Sequence, residues 1–220
     1  MDTEWRLCPN IKWHDGAPMT ADDLLFSYQV LVDPELPTAG AQRRFMQAAE
    51  TTAADLFTIH WSSTYVDAAQ GNLSYVRPKH ILGDLYQRDK EAFSNSPWFA
   101  SEFVGLGPYK LGTWELGSHM ELLRFDDYYQ GRPPFDRIVV RFVGDANALV
   151  ANILAGELDI VLPVTVDLDA ALELRQRWQG TGHQVRTDVS GQLPQLEMPQ
   201  SLVRRHTVEG SRLRPLSILG

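Results

Sequence analysis

A mixed α/β fold is predicted for this chain by three features of its sequence. A stretch alternating apolar and polar residues (Trp5, Leu7, Ile11, Trp13) runs into a helix-start signal at Thr20. Three strand-like segments lie between Tyr109 and Val143. Helical and strand periodicities then alternate up to Val189, giving the order β-β-β-α-β-α-β with at least one parallel crossover. With 220 residues, 44% of them hydrophobic, the chain can bury one good-sized core or a core with a smaller appended unit.

The elements follow in order. The opening alternation reads as a strand or hairpin edge that either pairs later in the chain or lacks its neighbour. Thr20 is an N-cap with Asp23 three residues on, a capping-box arrangement, and Leu24, Leu25, Tyr28, Leu31 and Val32 recur at helical spacing. Asp33-Pro34 ends this helix, because the residue before proline is driven out of the α region. A second helix is predicted over 41–50 around Phe45, Met46 and Ala49, a strand over Leu56 to Trp61, and a helix over 78–93 with Pro78 at its first position. Gly105-Leu106-Gly107-Pro108 is a turn cluster, followed by strands Tyr109 to Trp114, His119 to Phe125 and Ile138 to Val143. Gly117 lies in the first hairpin turn. Asp145 caps a helix through Leu154, and Gly156 takes the position just past its end. A short buried strand from Leu158 to Leu162, a helix to Trp178 and a strand from His183 to Val189 complete the pattern. From Gln192 to Gly220 no periodicity persists; three prolines and four arginines against two glutamates predict an irregular tail.

Composition narrows the function. The net charge is −8 and the pI about 5.2, which argues against a dedicated nucleic-acid binder. A single cysteine, Cys8, excludes an internal disulfide framework and a cysteine-cluster zinc site, and reads as a small half-buried hydrophobe. No run reaches the ~18 apolar residues of a spanning helix. The first residues carry Asp2, Glu4 and Arg6 without an apolar core, so they show no export signal.

Candidate chemistry is sparse. His14-Asp15 suggests metal ligands or an acid/base pair, and hence a small metal-dependent hydrolase, but no second histidine stands at i+4 and the other five are scattered. The competing reading is a structural turn, with Asp15-Gly16 making the bend. Gly105 to Pro108 lacks the helix and lysine of a phosphate loop, and Gly117-Ser118-His119 lacks a nucleophile-elbow frame. No cofactor is implied and no catalytic set emerges.

Three blocks carry a family resemblance. The first is Leu7 to Tyr28, centred on Trp13-His14-Asp15-Gly16 and Thr20-Ala21-Asp22-Asp23. The second is Val104 to Leu111, with Trp114 to Ser118, Asp126 to Tyr129 and Gly131 to Pro133. The third is Asp136 to Phe142, with Asp145-Ala146 and Leu154 to Asp159. Together they resemble the extracellular solute-binding proteins, family 5, over residues 5 to about 191, in the family's order. Leu106 stands where that family usually has threonine.

The resemblance implies a periplasmic-binding-protein-like fold of the type II, peptide-binding class. In such a clamshell two α/β lobes close on a peptide or related solute held largely through backbone hydrogen bonds, and deliver it to the permease of an ABC importer. It implies a periplasmic or cell-surface setting, no enzymatic activity and no membrane span. On this reading residues 1–103 are part of the smaller subdomain inserted in lobe I, 104–191 its main α/β part up to the hinge, and 192–220 a tail outside the family pattern. The chain is expected to be a truncated member without the second lobe. The segment after the Gly156-Glu157-Leu158-Asp159 motif lines the cleft in the family, which maps substrate binding onto Val161, Leu162 and Pro163. A relative that no longer binds solute is the remaining alternative.

Overall fold

The computed structural model describes residues 1–37, 41–66, 68, 76–161, 168–180, 184–186 and 195–197. It divides into two compact units, Met1–Val140 and Arg141–Gly220.

In the first unit, the opening alternation forms a strand only over β1 (Asp2–Arg6), short of Ile11 and Trp13, and of the two alternatives it is pairing later in the chain that holds. It pairs antiparallel with β3 (Leu56–Trp61), Asp2 opposite His60 and Arg6 opposite Leu56. On β3's other side lies β2 (Met46–Ala53), giving the order β1-β3-β2. Here the predicted helix over 41–50 is corrected: a short 3-10 turn, Ala41–Arg44, precedes the strand. Met46 and Ala49 share helical spacing, but Thr51-Thr52 favours strand, and the hairpin through Ala54-Asp55 pairs the segment with β3. Tertiary pairing overrides the helical preference of alanine.

Helix α1 (Ala21–Val32) is buried on two faces; only Asp22 and Gln29 are exposed along it. One face packs Leu24, Tyr28 and Leu31 onto Phe57, Ile59 and Trp61 of the sheet. The other packs Phe26 and Val30 against Leu82, Tyr86, Phe93 and Trp98. The last four belong to α2 (Lys79–Arg88), α3 (Lys90–Ser94) and the 3-10 turn Pro97–Phe99. The helix expected over 78–93 is thus two. Asp89 leaves the helical region at φ −155° and its side chain accepts from the Ala92 N–H, so one residue ends α2 and caps α3. Pro78 sits at the N-cap, one position earlier than expected.

Three antiparallel or adjacent strands complete this unit in the order β4-β5-β6: β4 (Tyr109–Glu115), β5 (His119–Arg124) and β6 (Arg137–Arg141). Gly117 turns the β4–β5 hairpin at φ +77°. Cys8, expected half-buried, is exposed in the turn that follows β1.

The second unit holds α4 (Ala146–Leu154), β7 (Ile160–Val161), α5 (Leu168–Arg177), β8 (Gln184–Arg186) and β9 (Gln195–Glu197). Its core is Leu149, Ile153, Val161, Ala171 and Leu174. Asp145 caps α4 through the Ala148 N–H at 2.7 Å. Gly156 has φ +74°, the left-handed position expected of it. Gly156→Val is expected to destabilise by about 1–2 kcal/mol, because a β-branched side chain is forced left-handed. A thermal melt unchanged from the parent would refute this.

One expectation holds here and one is corrected. The strand order is β7-β9-β8, and both outer strands pair antiparallel with β9. β7 and β8, joined through α5, therefore run in the same direction, which is the expected parallel crossover, with β9 lying between them. The irregular tail from Gln192 also contains structure, since Gln195–Glu197 forms that central strand. Strand pairing alone, with no amphipathic period in three residues, leaves no sequence pattern to read. Residues 198–220 lie outside those described.

Candidate functional site

Two of the resemblance blocks, far apart in sequence, meet at one place. Residues 12–18 form a tight loop: Lys12 bridges to Pro18, the Trp13 N–H donates to Ala17 O at 2.8 Å, and Gly16 turns at φ +91°. Trp13 is fully buried. Its indole N–H donates to Asp23 Oδ2 at 3.3 Å. His14 reaches the turn cluster before β4. Its backbone N–H donates to Gly105 O at 3.0 Å, and its Nδ1 accepts from the Gly105 N–H at 3.1 Å. Its Nε2 lies 3.0 Å from Gly107 O, an atom that can only accept. The ring is therefore the neutral Nε2–H tautomer, packed edge-on to Phe125 with centroids 5.2 Å apart. Burial lowers its pKa from the ordinary value, aided by Lys110 and opposed by the Gly107 bond and Asp15.

Asp15 is equally engaged. Oδ1 accepts from the Ala17 N–H at 3.0 Å and Oδ2 pairs with His80 Nε2 at 2.8 Å. Burial works against the carboxylate's charge, but the bonds to His80 and Ala17 outweigh it and lower its pKa. Both ring nitrogens of His14 are committed, so the pair offers no coordination site. Among the described residues no group of three or more His, Cys, Asp or Glu is placed to hold a metal. The structural-turn reading of this tetrapeptide is the one the geometry supports, against the hydrolase alternative.

Asp23 sits beneath this loop, 4% exposed. Oδ2 accepts from the Thr20 N–H at 3.0 Å, completing the capping arrangement of α1, and Oδ1 accepts from the Lys79 N–H at 2.9 Å, capping α2. Its neighbour one turn on, Ser27, accepts from the Arg77 N–H at 2.7 Å and donates to Asp23 O. An open groove of about 540 Å³ runs between α1 and α2, lined by Asp22, Phe26, Gln29, Lys79, His80 and Asp84 among others. Its charges are largely spent on one another: Lys79 Nζ is 3.2 Å from Asp22 and His80 is held by Asp15.

Of the substrate-binding residues expected from sequence, Val161 is in the core of the second unit, 8% exposed, while Ile160 beside it is 69% exposed. Leu162 and Pro163 lie outside the described residues. Sequence reasoning missed the contact between His14 and the 105–107 turn and the pairing of Asp15 with His80. The first had a signal, since Trp13 to Gly16 and Val104 to Pro108 are both resemblance blocks.

Comparison with known proteins decides the family. Residues 3–191 match the bacterial extracellular solute-binding proteins, family 5 Middle. The chain belongs to this family. Over 154 residues it is 30% identical to the oligopeptide-binding protein AppA of Bacillus subtilis (strain 168), covering 68% of this chain and 27% of AppA. The fold matches the structure of AppA in complex with a nonapeptide at a TM-score of 0.73, with 23% identity, over 85% of this chain and 36% of that one. It likewise matches NikZ from Campylobacter jejuni in complex with Ni(L-His), at a TM-score of 0.71 and 20% identity, over 84% of this chain and 35% of that one. This family member shares the type II binding-protein fold and spans about a third of these solved chains. The family and these relatives are binding proteins. Among the described residues no helix is long and apolar enough to cross a membrane.

Proposed function

We propose that this family member is part of a peptide-capturing solute-binding protein that serves an ABC importer, working in the periplasm or at the cell surface. The observation that carries this reading is the 30% identity to AppA over 154 residues, an alignment with a protein named for oligopeptide binding. A non-enzymatic role suits the site: His14, Asp15 and Asp23 are consumed by structural bonds. Val161 enters through its backbone, since its side chain belongs to the core. Strand β7 pairs with β9 on one side, and extended peptides are commonly held by main-chain bonds of the kind a strand offers. The permease is the partner that would receive the solute.

A chain spanning about a third of its solved relatives supplies, on this reading, one wall of a two-walled cleft. A micromolar complex is worth about −8 kcal/mol, and losing half of that leaves about −4, roughly millimolar. Each remaining bond also competes with water wherever a second wall does not cover it. Titrating di- to pentapeptides while following amide chemical shifts tests both points. Millimolar binding with shifts at Ile160 and Val161 is expected. No shift anywhere at 10-fold higher peptide would sink the capture reading and favour a relative that no longer binds. A dissociation constant of about 1 µM or below would overturn the two-wall argument.

A further inference from the structure

The two ring bonds of His14 place opposite demands on one imidazole. Nδ1 must be bare to accept the Gly105 N–H, and Nε2 must carry hydrogen to donate to Gly107 O. Only one neutral tautomer meets both. A proton added to Nδ1 faces the Gly105 N–H donor to donor, and that bond is lost. The turn has little room to absorb the change. A Cβ built on Gly105 would stand 2.7 Å from Phe103 and 3.3 Å from His14 Cε1, so backbone, ring and imidazole are already close-packed.

The charged surroundings do not compensate a proton. From β4, the Lys110 ammonium repels it. From its own loop, Asp15 attracts it, but that carboxylate is tied to Ala17 and to His80 of α2. Past the end of β5, Phe125 presents a ring edge, Asp126 is bound by Arg124, and Asp127 by Lys12. Among the described residues no carboxylate is bonded to the ring itself to replace the lost bond.

We infer that His14 is a proton-operated latch, whose neutral ring fastens the 105–107 turn to the 12–18 loop and whose protonation in mild acid releases it. The direction follows from linkage. The unfolded imidazole takes its proton near pH 6.5, and the folded ring resists it, because burial disfavours the charged form. The latch is closed above about pH 6.5 and loses its hold as the pH falls below that. His60 works the other way. Bonds to Asp2 and Glu50 raise its pKa, so its contribution is full below about pH 6.5 and lost as the pH rises above it. A global melting curve mixes the two, and the readout must be local.

Hydrogen exchange at the Gly105 amide, corrected for intrinsic rate and referenced to amides in α1, supplies that readout. Between pH 7.5 and 5 its protection is expected to fall at least ten-fold in the parent chain. His14→Gln offers an acceptor and a donor without titrating, and is expected to keep protection that no longer depends on pH. Imidazole nitrogen shifts measured on the parent chain alone give a second test, with Nε2–H at pH 7.5 and protonation setting in at a lower pH than for an unfolded imidazole. Undiminished Gly105 protection at pH 5, the same pH-dependent loss in His14→Gln, or an Nδ1–H tautomer at pH 7.5 would each overturn the latch.

Discussion

Asp23→Ala is expected to be among the most destabilising single substitutions in the first unit, at roughly 3–4 kcal/mol. One carboxylate caps two helices there, α1 through Thr20 and α2 through Lys79, and also accepts from the buried Trp13 indole. A lost cap costs about 1 kcal/mol in a single exposed helix, and each buried donor left unpaired costs about 1–3 more. The helices do not lose their caps independently. Both pack through Phe26, Val30, Leu82 and Tyr86 into the same core, so loosening one end disturbs the shared interface. Asn at this position keeps one acceptor and turns an NH2 toward a donor, so Asp23→Asn is expected to recover less than half of the loss. Trp13→Phe removes the indole donor and part of a fully buried ring but leaves both caps in place, so it should cost less than Asp23→Ala. Urea unfolding of the three variants provides the check. An Asp23→Ala loss below about 1 kcal/mol would mean that water reaches and caps both helix ends.

Asp23 also shows what the sequence made legible. The Thr20-x-x-Asp23 signature announces the start of α1, and the helix runs to Asp33 as its apolar spacing and Pro34 require. The same signature says nothing of the second helix. That Asp23 caps Lys79 across 56 positions is a product of packing, and no local pattern encodes it. His14 belongs with it. Its residue type and loop were readable, but its partners Gly105 and Gly107 are backbone atoms, which leave no trace in side-chain chemistry. β3 is legible because Phe57, Ile59 and Trp61 alternate with Thr58 and His60, whereas β9 has three residues and owes its existence to being sandwiched between β7 and β8. The alanines and methionine of β2 suit a helix, and its pairing with β3 is what makes it a strand. Val161 marks the limit for the site. A family motif placed it near the cleft, yet a two-residue strand turns its side chain inward to Leu149 and Leu174, and alternation gives the exposed position to Ile160.

At the far end of α1, Asp33→Ala is expected to cost about 2–3 kcal/mol at neutral pH, and much less in acid. Asp33 Oδ2 accepts from Tyr86 Oη–H and from Lys90 Nζ, both at 2.6 Å, and Oδ1 accepts from the Glu35 N–H at 2.9 Å. The Lys90 ammonium also lies 3.0 Å from the centroid of the Tyr86 ring, so charge, hydroxyl and π-face share one corner. The hydrogen bonds from Lys90 and Tyr86 hold the Asp33 carboxyl down to about 2, against the opposing effect of burial. In the unfolded chain the same carboxyl titrates near 3.9. Between these values the unfolded state binds the proton first, so acid favours unfolding. The contribution of Asp33 is thus complete above about pH 4 and is surrendered as the pH falls from about 4 toward 2. Lys90 mirrors this at the alkaline end: burial works against its charge, but bonds to Asp33 and Tyr86 outweigh it and raise its pKa, so its share persists below about pH 10.5 and is lost above. Urea unfolding of the parent and Asp33→Ala at pH 7 and pH 2.5 measures the effect. The gap between them should shrink by at least half at the lower pH, because the parent has given up most of what the variant lacks. A gap of equal size at both values would mean that the neutral carboxyl does as well as the carboxylate, and that packing rather than charge holds this corner.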